Sequence, residues 1–415
     1  MNWFLTLSFC AVTAAAADSS RNFTFGAGSA VPGVTAVAPE MTYTKERGFG
    51  FEADATLRAS GGGLASDAPF FFSVAVPEGN WRVIVTLGGA TGDSVTTVKA
   101  ELRRLMLEQV PTAQGEVATR SFTVNVRTPK FPDGEVRLKD REKTSEAWAW
   151  DEKLTLEFNG TRPCVRAITI TPATNVPTVF LLGDSTVCDQ PREPFASWGQ
   201  MLTRFFSSDV AVVNHAESGE SLRSSFGAKR LEKVLLTARP GDWALIQFGH
   251  NDMKERGEGV GAFTTYQASL RQFTAALRER GVQVVLVTPM HRRTFADDGK
   301  LRNSHGDYPE AVRRASKDGS VPLIDLHALS AQLYEAFGPE KSGVLFKSGD
   351  GTHHNNFGAY ELAKCMVTGI RANVPALAKL LADDVPAFDP AKPDAVEKFT
   401  VPASPQQTNL KPDGN

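Results

Sequence analysis

Two strand rhythms in one chain predict an all-β sandwich followed by an α/β domain built on a parallel sheet. From about residue 22 to residue 172, short strand-like runs are punctuated by turns. From Pro177 onward, strand-like runs alternate with amphipathic helical segments. Strands punctuated at short intervals belong to antiparallel sandwiches. Strict alternation with helices belongs to parallel sheets, whose neighbouring strands need crossover connections.

In the first region the runs 70–76, 81–87, 121–126, 154–158 and 167–170 read as strands, and Val83, Val85 and Leu87 share one face, as in a half-buried strand. In the second, strands are expected at 178–182, 210–214, 243–248, 282–288 and 321–326. A helix is expected over 266–280, and a final helix over 355–363. The tail beyond about residue 385 is rich in Pro, Asp, Lys and Gln and reads as an extended or mobile segment outside the core. The expected organisation is a leader over 1–17, a sandwich over 18–174, an α/β domain over 177–384 and a tail over 385–415.

The leader reading rests on an apolar stretch from Trp3 to Val12 followed by Ala14, Ala15, Ala16 and Ala17, which suit signal cleavage near Ala17 and predict export. The remainder is globular in composition: of 415 residues, 41% are hydrophobic and 22% charged, enough apolar material for a sizeable core. A net charge of −2 provides no footprint for nucleic acid or an anionic membrane. No later stretch is apolar for long enough to span a bilayer. Cys164, Cys188 and Cys365 remain after the leader, and both one bridge and three buried thiols fit that count. No His or Cys cluster has zinc-ligand spacing, so no metal is expected. No oligomeric state is legible.

The chemistry sits where the parallel strands end. Gly183-Asp184-Ser185-Thr186 follows the run 178–182, and Asp350-Gly351-Thr352-His353 lies far downstream. A serine hydroxyl is a weak nucleophile unless an imidazole takes its proton and a carboxylate orients the imidazole. Ser185, His353 and Asp350 are candidates for those three roles, and two intervening residues let a single loop carry acid and base. Ser185 lacks the G-x-S-x-G elbow of α/β-hydrolases, which calls for another serine-hydrolase family. Donors for an oxyanion are available in Glu217-Ser218-Gly219-Glu220-Ser221, where a glycine N–H can approach a substrate, and in Gly249-His250-Asn251-Asp252, which offers an amide. Ligands of open parallel sheets bind beyond the carboxyl ends of the strands, where the first three of these blocks fall. Asp184 and Asp252 read as loop-ordering hydrogen-bond partners, His250 as a structural loop residue and His354 as a packed one.

With Ser185 in a GDS block, Gly219 after the second parallel strand, Asn251 in G-x-N-D and His353 in D-x-x-H, the chain resembles the SGNH, or GDSL, hydrolase family. That resemblance implies a flavodoxin-like three-layer α/β/α fold and a serine esterase that needs no cofactor. It implies Ser185 as nucleophile, His353 as base oriented by Asp350, and an oxyanion hole of the Ser185 and Gly219 amides with the Asn251 side chain. Ser197-Trp198-Gly199-Gln200, Thr288-Pro289-Met290-His291-Arg292-Arg293 and His353-His354-Asn355 resemble the rhamnogalacturonan acetylesterase branch. The branch implies O-acetyl groups on plant cell-wall polysaccharide as substrate, pectic rhamnogalacturonan first and xylan second. The first region resembles the galactose-binding-like jelly rolls of carbohydrate-active enzymes.

For sugar binding, Arg292 and Arg293 can pair bidentately with a uronate carboxylate or form a solvated loop pair. Trp198 can stack on a sugar or pack beneath the first loop. Trp148 and Trp150 admit the same sugar-stacking reading, although aromatics in a sandwich more often belong to the core. Two other functions are compatible with the same residues: an esterase or lipase of the family acting on small or lipid esters, and a non-catalytic carbohydrate-binding protein.

Overall fold

A computed structural model describes residues 20–26, 31–53 and 55–413. The expected leader over 1–17 lies outside the described residues. The N-terminal region is a two-sheet sandwich. One sheet runs Ala118–Val126, Gly79–Leu87, Cys164–Pro172, Arg21–Phe25, Thr35–Val37, with the pair Arg58–Ala59 and Leu64–Ala65 attached at Cys164–Pro172. The other runs Phe49–Phe51, Phe70–Ala75, Lys153–Thr161, Ser94–Ala100, Arg104–Thr112. Alternation drives the packing: Val83, Val85 and Leu87 are fully buried between the sheets, whereas Ile84, one position out of phase, is 37% exposed. Phe70, Phe72, Leu154, Leu156 and Phe158 come to the same core from the facing sheet.

The second region carries a five-stranded, wholly parallel sheet in the order Ala211–Asn214, Thr178–Gly183, Trp243–Gln247, Gln283–Val287, Leu323–Ile324. Each strand feeds two cores in alternation. Val179, Leu181, Leu245, Val285 and Val287 pack under helices Leu326–Lys341 and Asn356–Asn373, while Phe180, Leu182, Ala244, Ile246 and Val284 pack under Arg230–Thr237, Gln267–Glu279 and Tyr308–Gly319. This is the three-layer arrangement expected from the strand and helix rhythm. The chain leaves Thr178–Gly183 for one side of the sheet and returns to its other side, so that strand's carboxyl end is a topological switch point, where open sheets form crevices.

Two local expectations change. The last strand shrinks to Leu323–Ile324, because the Asp325 side chain accepts the Ala328 N–H and caps a helix that begins at Leu326. The tail is extended but stitched down, not loose. Ser404 is 1% exposed: its N–H donates to Glu193 Oε1 at 2.7 Å, its hydroxyl donates to Glu157 Oε2 at 2.7 Å and accepts from Lys99 Nζ at 2.7 Å. Asn159 donates to the Ala403 carbonyl, and Glu193 N–H to Gln406. Lys99 and Glu157 belong to the sandwich and Glu193 to the α/β region, so the tail clasps one to the other. Composition favours an extended tail, but buried charges require partners, and the tail supplies them.

The sandwich and the α/β region also share buried ion pairs: Arg104 with Asp189 at 2.8 Å and Arg103 with Glu193 at 2.5 Å. Ser404→Ala strips a hydroxyl from two buried charged groups, so we expect a loss of about 1–3 kcal/mol in unfolding free energy by denaturant titration. An unchanged midpoint would show that the clasp is energetically idle.

Candidate active site

At the switch point, Gly183 is the one residue type that fits. A Cβ there would lie 2.5 Å from Val187 Cγ2 and 2.7 Å from the Gln247 carbonyl. Asp184 opens the following turn, its Oδ1 accepting from the Thr186 N–H at 2.9 Å and Oγ1 at 2.7 Å. Ser185, between them, is 3% exposed. Its carbonyl accepts from Gln190 Nε2 at 2.8 Å.

The Asp350 to His353 loop precedes helix Asn356–Asn373, which Asn355 caps by accepting the Gly358 N–H. The loop's partners form one line of hydrogen bonds. Ser185 Oγ is 2.9 Å from His353 Nε2, and His353 Nδ1 is 3.0 Å from Asp350 Oδ2. Asp350 Oδ1 accepts the Thr352 and His353 N–H groups at 2.8 and 3.0 Å. Burial opposes charge on Asp350, but the His353 ring and these backbone donors outweigh it and hold the carboxyl well below its usual range. An anionic Asp350 keeps the Nδ1 proton in place and leaves Nε2 facing the serine. Phe195 packs edge-on to His353 at 6.0 Å between ring centres, restricting the imidazole further.

Gly219 and Asn251 sit on neighbouring turns. Gly219 has φ +78° inside a turn closed by Glu220 N–H to the Glu217 carbonyl at 3.2 Å. The Glu217 N–H donates to Gly183, tying that turn to the serine's strand. Among the described residues, the Ser185 and Gly219 N–H groups donate to no protein acceptor. Asn251 Nδ2 donates one proton to the Glu220 carbonyl at 3.0 Å, which aligns the amide and leaves its second proton. Asp252 accepts the Leu222 and Gly249 N–H groups, each at 2.9 Å, and burial raises its carboxyl to about 7. His250, pushed down by burial, lies 3.3 Å from Asp184 without hydrogen-bond alignment. His354 accepts or donates at Tyr334 Oη, 2.7 Å away, and packs on Phe346.

The sugar-binding expectations fare differently. Trp198 is corrected: it is 0% exposed and donates to Gln247 Oε1 at 2.8 Å, so it offers no face to a sugar. Gln247 then donates to Thr186 Oγ1, making Trp198 a support beneath the serine turn. Arg293 is also corrected. Its guanidinium donates to Ser342 Oγ and the Pro339 carbonyl, and its N–H to the Gly351 carbonyl, so it braces the acid–base loop. Arg292 lies nearer the centre, half-buried, donating to the His250 carbonyl at 3.3 Å, with Asp184 and Asp350 in electrostatic range.

Other residues enter from outside the sequence motifs. A cavity of about 210 Å³ is lined by Ser218, Gln190, Phe195, Arg141, Arg192 and Leu410, from the α/β region, the sandwich and the tail together. Next to it, Trp148 lines a cavity of about 170 Å³ with Pro191 and Arg192. No motif marks these positions, because their proximity arises only when the sandwich docks. All three described cysteines are buried free thiols. Burial raises Cys188 well above its usual value, so this neighbour of Ser185 is a packing residue.

A serine, an imidazole and a carboxylate aligned at the carboxyl end of a parallel sheet define a serine hydrolase. Residues 181–359 match the GDSL-like lipase/acylhydrolase family, and residues 21–128 match the beta-agarase/YXIM esterase-like, galactose-binding domain-like family. The rhamnogalacturonan acetylesterase RhgT of Bacillus subtilis is 42% identical over 207 residues, covering 46% of this chain and 88% of RhgT. The uncharacterized esterase YxiM of Bacillus subtilis is 28% identical over 375 residues, covering 86% of this chain and 92% of YxiM. A crystal structure of YxiM aligns with 85% of this chain and 98% of its own, at TM-score 0.48 and 26% identity. The chain belongs to the GDSL, or SGNH, hydrolase family and is a carboxylic ester hydrolase that carries an N-terminal galactose-binding-like domain. No helix among the described residues is long and apolar enough to cross a membrane.

Proposed function

We propose that this esterase removes O-acetyl groups from plant cell-wall polysaccharide, pectic rhamnogalacturonan ahead of acetylated xylan, and acts after export. The observation that carries the chemistry is the unbroken line from Ser185 through His353 to Asp350. Ser185 attacks the acetyl carbonyl as His353 takes its proton. The oxyanion is held by the Ser185 and Gly219 amides and the Asn251 side chain. His353 then protonates the leaving sugar hydroxyl, and water repeats the sequence to release acetate. Every proton is returned, so the route calls for no cofactor.

The acetyl and pectic assignments draw support from the 42% identity to a protein named a rhamnogalacturonan acetylesterase. The cavity of about 210 Å³ lined by Ser218, Gln190, Phe195 and Arg192 opens where the sandwich, the α/β region and the tail meet. Trp148 and the exposed Arg192 supply an aromatic face and a guanidinium beside that cavity, the pair of groups suited to a uronic acid residue. The sandwich and the α/β region act as one unit in this reading.

The test is acetate release from acetylated pectic rhamnogalacturonan and acetylated xylan, side by side. Faster release from the pectic polymer is expected. Preference for xylan would keep the mechanism and move the substrate. Cleavage of a small aryl acetate alone would sink the polysaccharide reading.

A further inference from the structure

We propose that Lys139 and Arg141, contributed by the sandwich, are positioning residues that hold the Ser218–Gly219 peptide in the one orientation that presents the Gly219 N–H to the reacting carbonyl. The Ser218 carbonyl accepts from Lys139 Nζ at 2.5 Å and from Arg141 Nη2 at 2.6 Å. In a trans peptide the C=O and N–H point in opposite directions. Two cationic donors on that oxygen therefore aim the Gly219 N–H the other way, where it meets no protein acceptor among the described residues.

The constraint is needed because of the turn type. Residues 217–220 form a turn whose central peptide is 218–219, and a φ of +78° at Gly219 fits a type II turn. Types I and II differ by a flip of that central peptide. Glycine pays no steric penalty for either sign of φ, so Gly219 by itself would let the peptide turn over. A flipped peptide would present a carbonyl oxygen, and repulsion, where an oxyanion needs a donor. Charge-assisted bonds to the Ser218 oxygen oppose the flip and polarise the peptide toward a stronger N–H donor.

The two cations are themselves fixed. Arg141 pairs with Glu217 through Nε at 2.7 Å and with Asp413 of the tail through Nη1 at 2.7 Å. Lys139 N–H donates to Glu142, whose carboxylate also binds the buried Arg230. Glu142, Glu146 and Glu217 form a buried acidic cluster beside the turn, and Arg141 and Arg230 answer its charge. The sandwich thus completes the site by orienting a donor, a role distinct from forming a wall of the cleft.

The inference rests on reading Gly219 N–H as an oxyanion donor, so the experiment includes a control for that reading. Lys139→Met, Arg141→Met and the double variant of the full chain are assayed with p-nitrophenyl acetate, with active sites counted by organophosphate titration so that misfolded molecules do not enter kcat. Lys139, partly exposed, guards against loss of folding at Arg141. The expected result is a fall in kcat per site of about tenfold in each single variant and about a hundredfold in the double, with KM nearly unchanged. The affinity of an alkyl boronic acid, which forms a tetrahedral adduct on the serine, should fall by the same factor. Arg141→Lys should restore part of both. Asn251→Ala, measured alongside, reports the oxyanion hole independently. Unchanged kcat in the double variant with a large loss in Asn251→Ala overturns the positioning role and leaves the hole standing. Unchanged kcat in all variants overturns the hole and the inference with it. A fall in kcat with unchanged boronate affinity overturns the inference, because the effect would then lie outside oxyanion stabilisation.

Discussion

Ser185→Ala is expected to lower kcat by about 10⁵- to 10⁶-fold, and His353→Ala by a similar factor. The reason is that each removes the same event. Without the Ser185 hydroxyl no acyl-enzyme forms, and without His353 nothing takes the proton from Oγ, 2.9 Å away. Their effects should therefore not add: the double variant should be no slower than either single one. Both positions are small or loop-borne and are not core-forming, so circular dichroism and the unfolding midpoint should stay near those of the wild type. Steady-state hydrolysis of an aryl acetate, with the background rate subtracted, measures the loss. Retention of activity within tenfold in Ser185→Ala would end the acyl-enzyme mechanism.

Asn251→Ala should lower kcat by about 10²- to 10³-fold, equivalent to about 2.7–4 kcal/mol of transition-state stabilisation, with KM little changed. The amide is pre-aligned by donating one proton to the Glu220 carbonyl and by accepting from Lys254 Nζ at 3.3 Å, so reorganisation costs little when charge develops. Asn251→Asp refines the test. It is isosteric and keeps the acceptor facing Lys254, but it sets a carboxylate where a donor is wanted, so it should be at least as damaging as alanine. An aspartate variant that matched the wild type would assign Asn251 a scaffolding role. An equal rise in KM and fall in kcat/KM, with kcat constant, would point to uniform substrate binding instead.

Much of the fold was legible because period-2 patterns are visible without tertiary information. Val83, Val85 and Leu87 announce a half-buried strand, and the run 179–182, apolar throughout, announces a strand covered on both faces, which the two cores fed by Val179 and Phe180 explain. The candidate catalytic blocks were legible because each is short and local, because the first three follow strand ends, and because the chemistry restricts which residue types can occupy them. Trp198 was ambiguous for a physical reason. An aromatic after a strand can face either solvent or core, and only the position of Gln247 on a neighbouring strand decided for the core. Arg293 was ambiguous for the same reason: a guanidinium binds whichever acceptors the fold brings within reach, and here these are Ser342 Oγ and the Pro339 carbonyl.

The amino-acid sequence by itself determined the class of fold and the family and marked Ser185, Asp350 and His353 as candidates for ester hydrolysis, since these depend on patterns within a few residues of one another. The tertiary structure decided what depends on distant segments meeting. It brought Lys139 and Arg141 to the Ser218 carbonyl, laid Ser404 between Lys99 and Glu193, and placed Trp148 and Arg192 on one cavity. Such meetings leave no local signature, because a buried charge or a carbonyl specifies only that it needs a partner, and any segment the fold brings within reach can provide one.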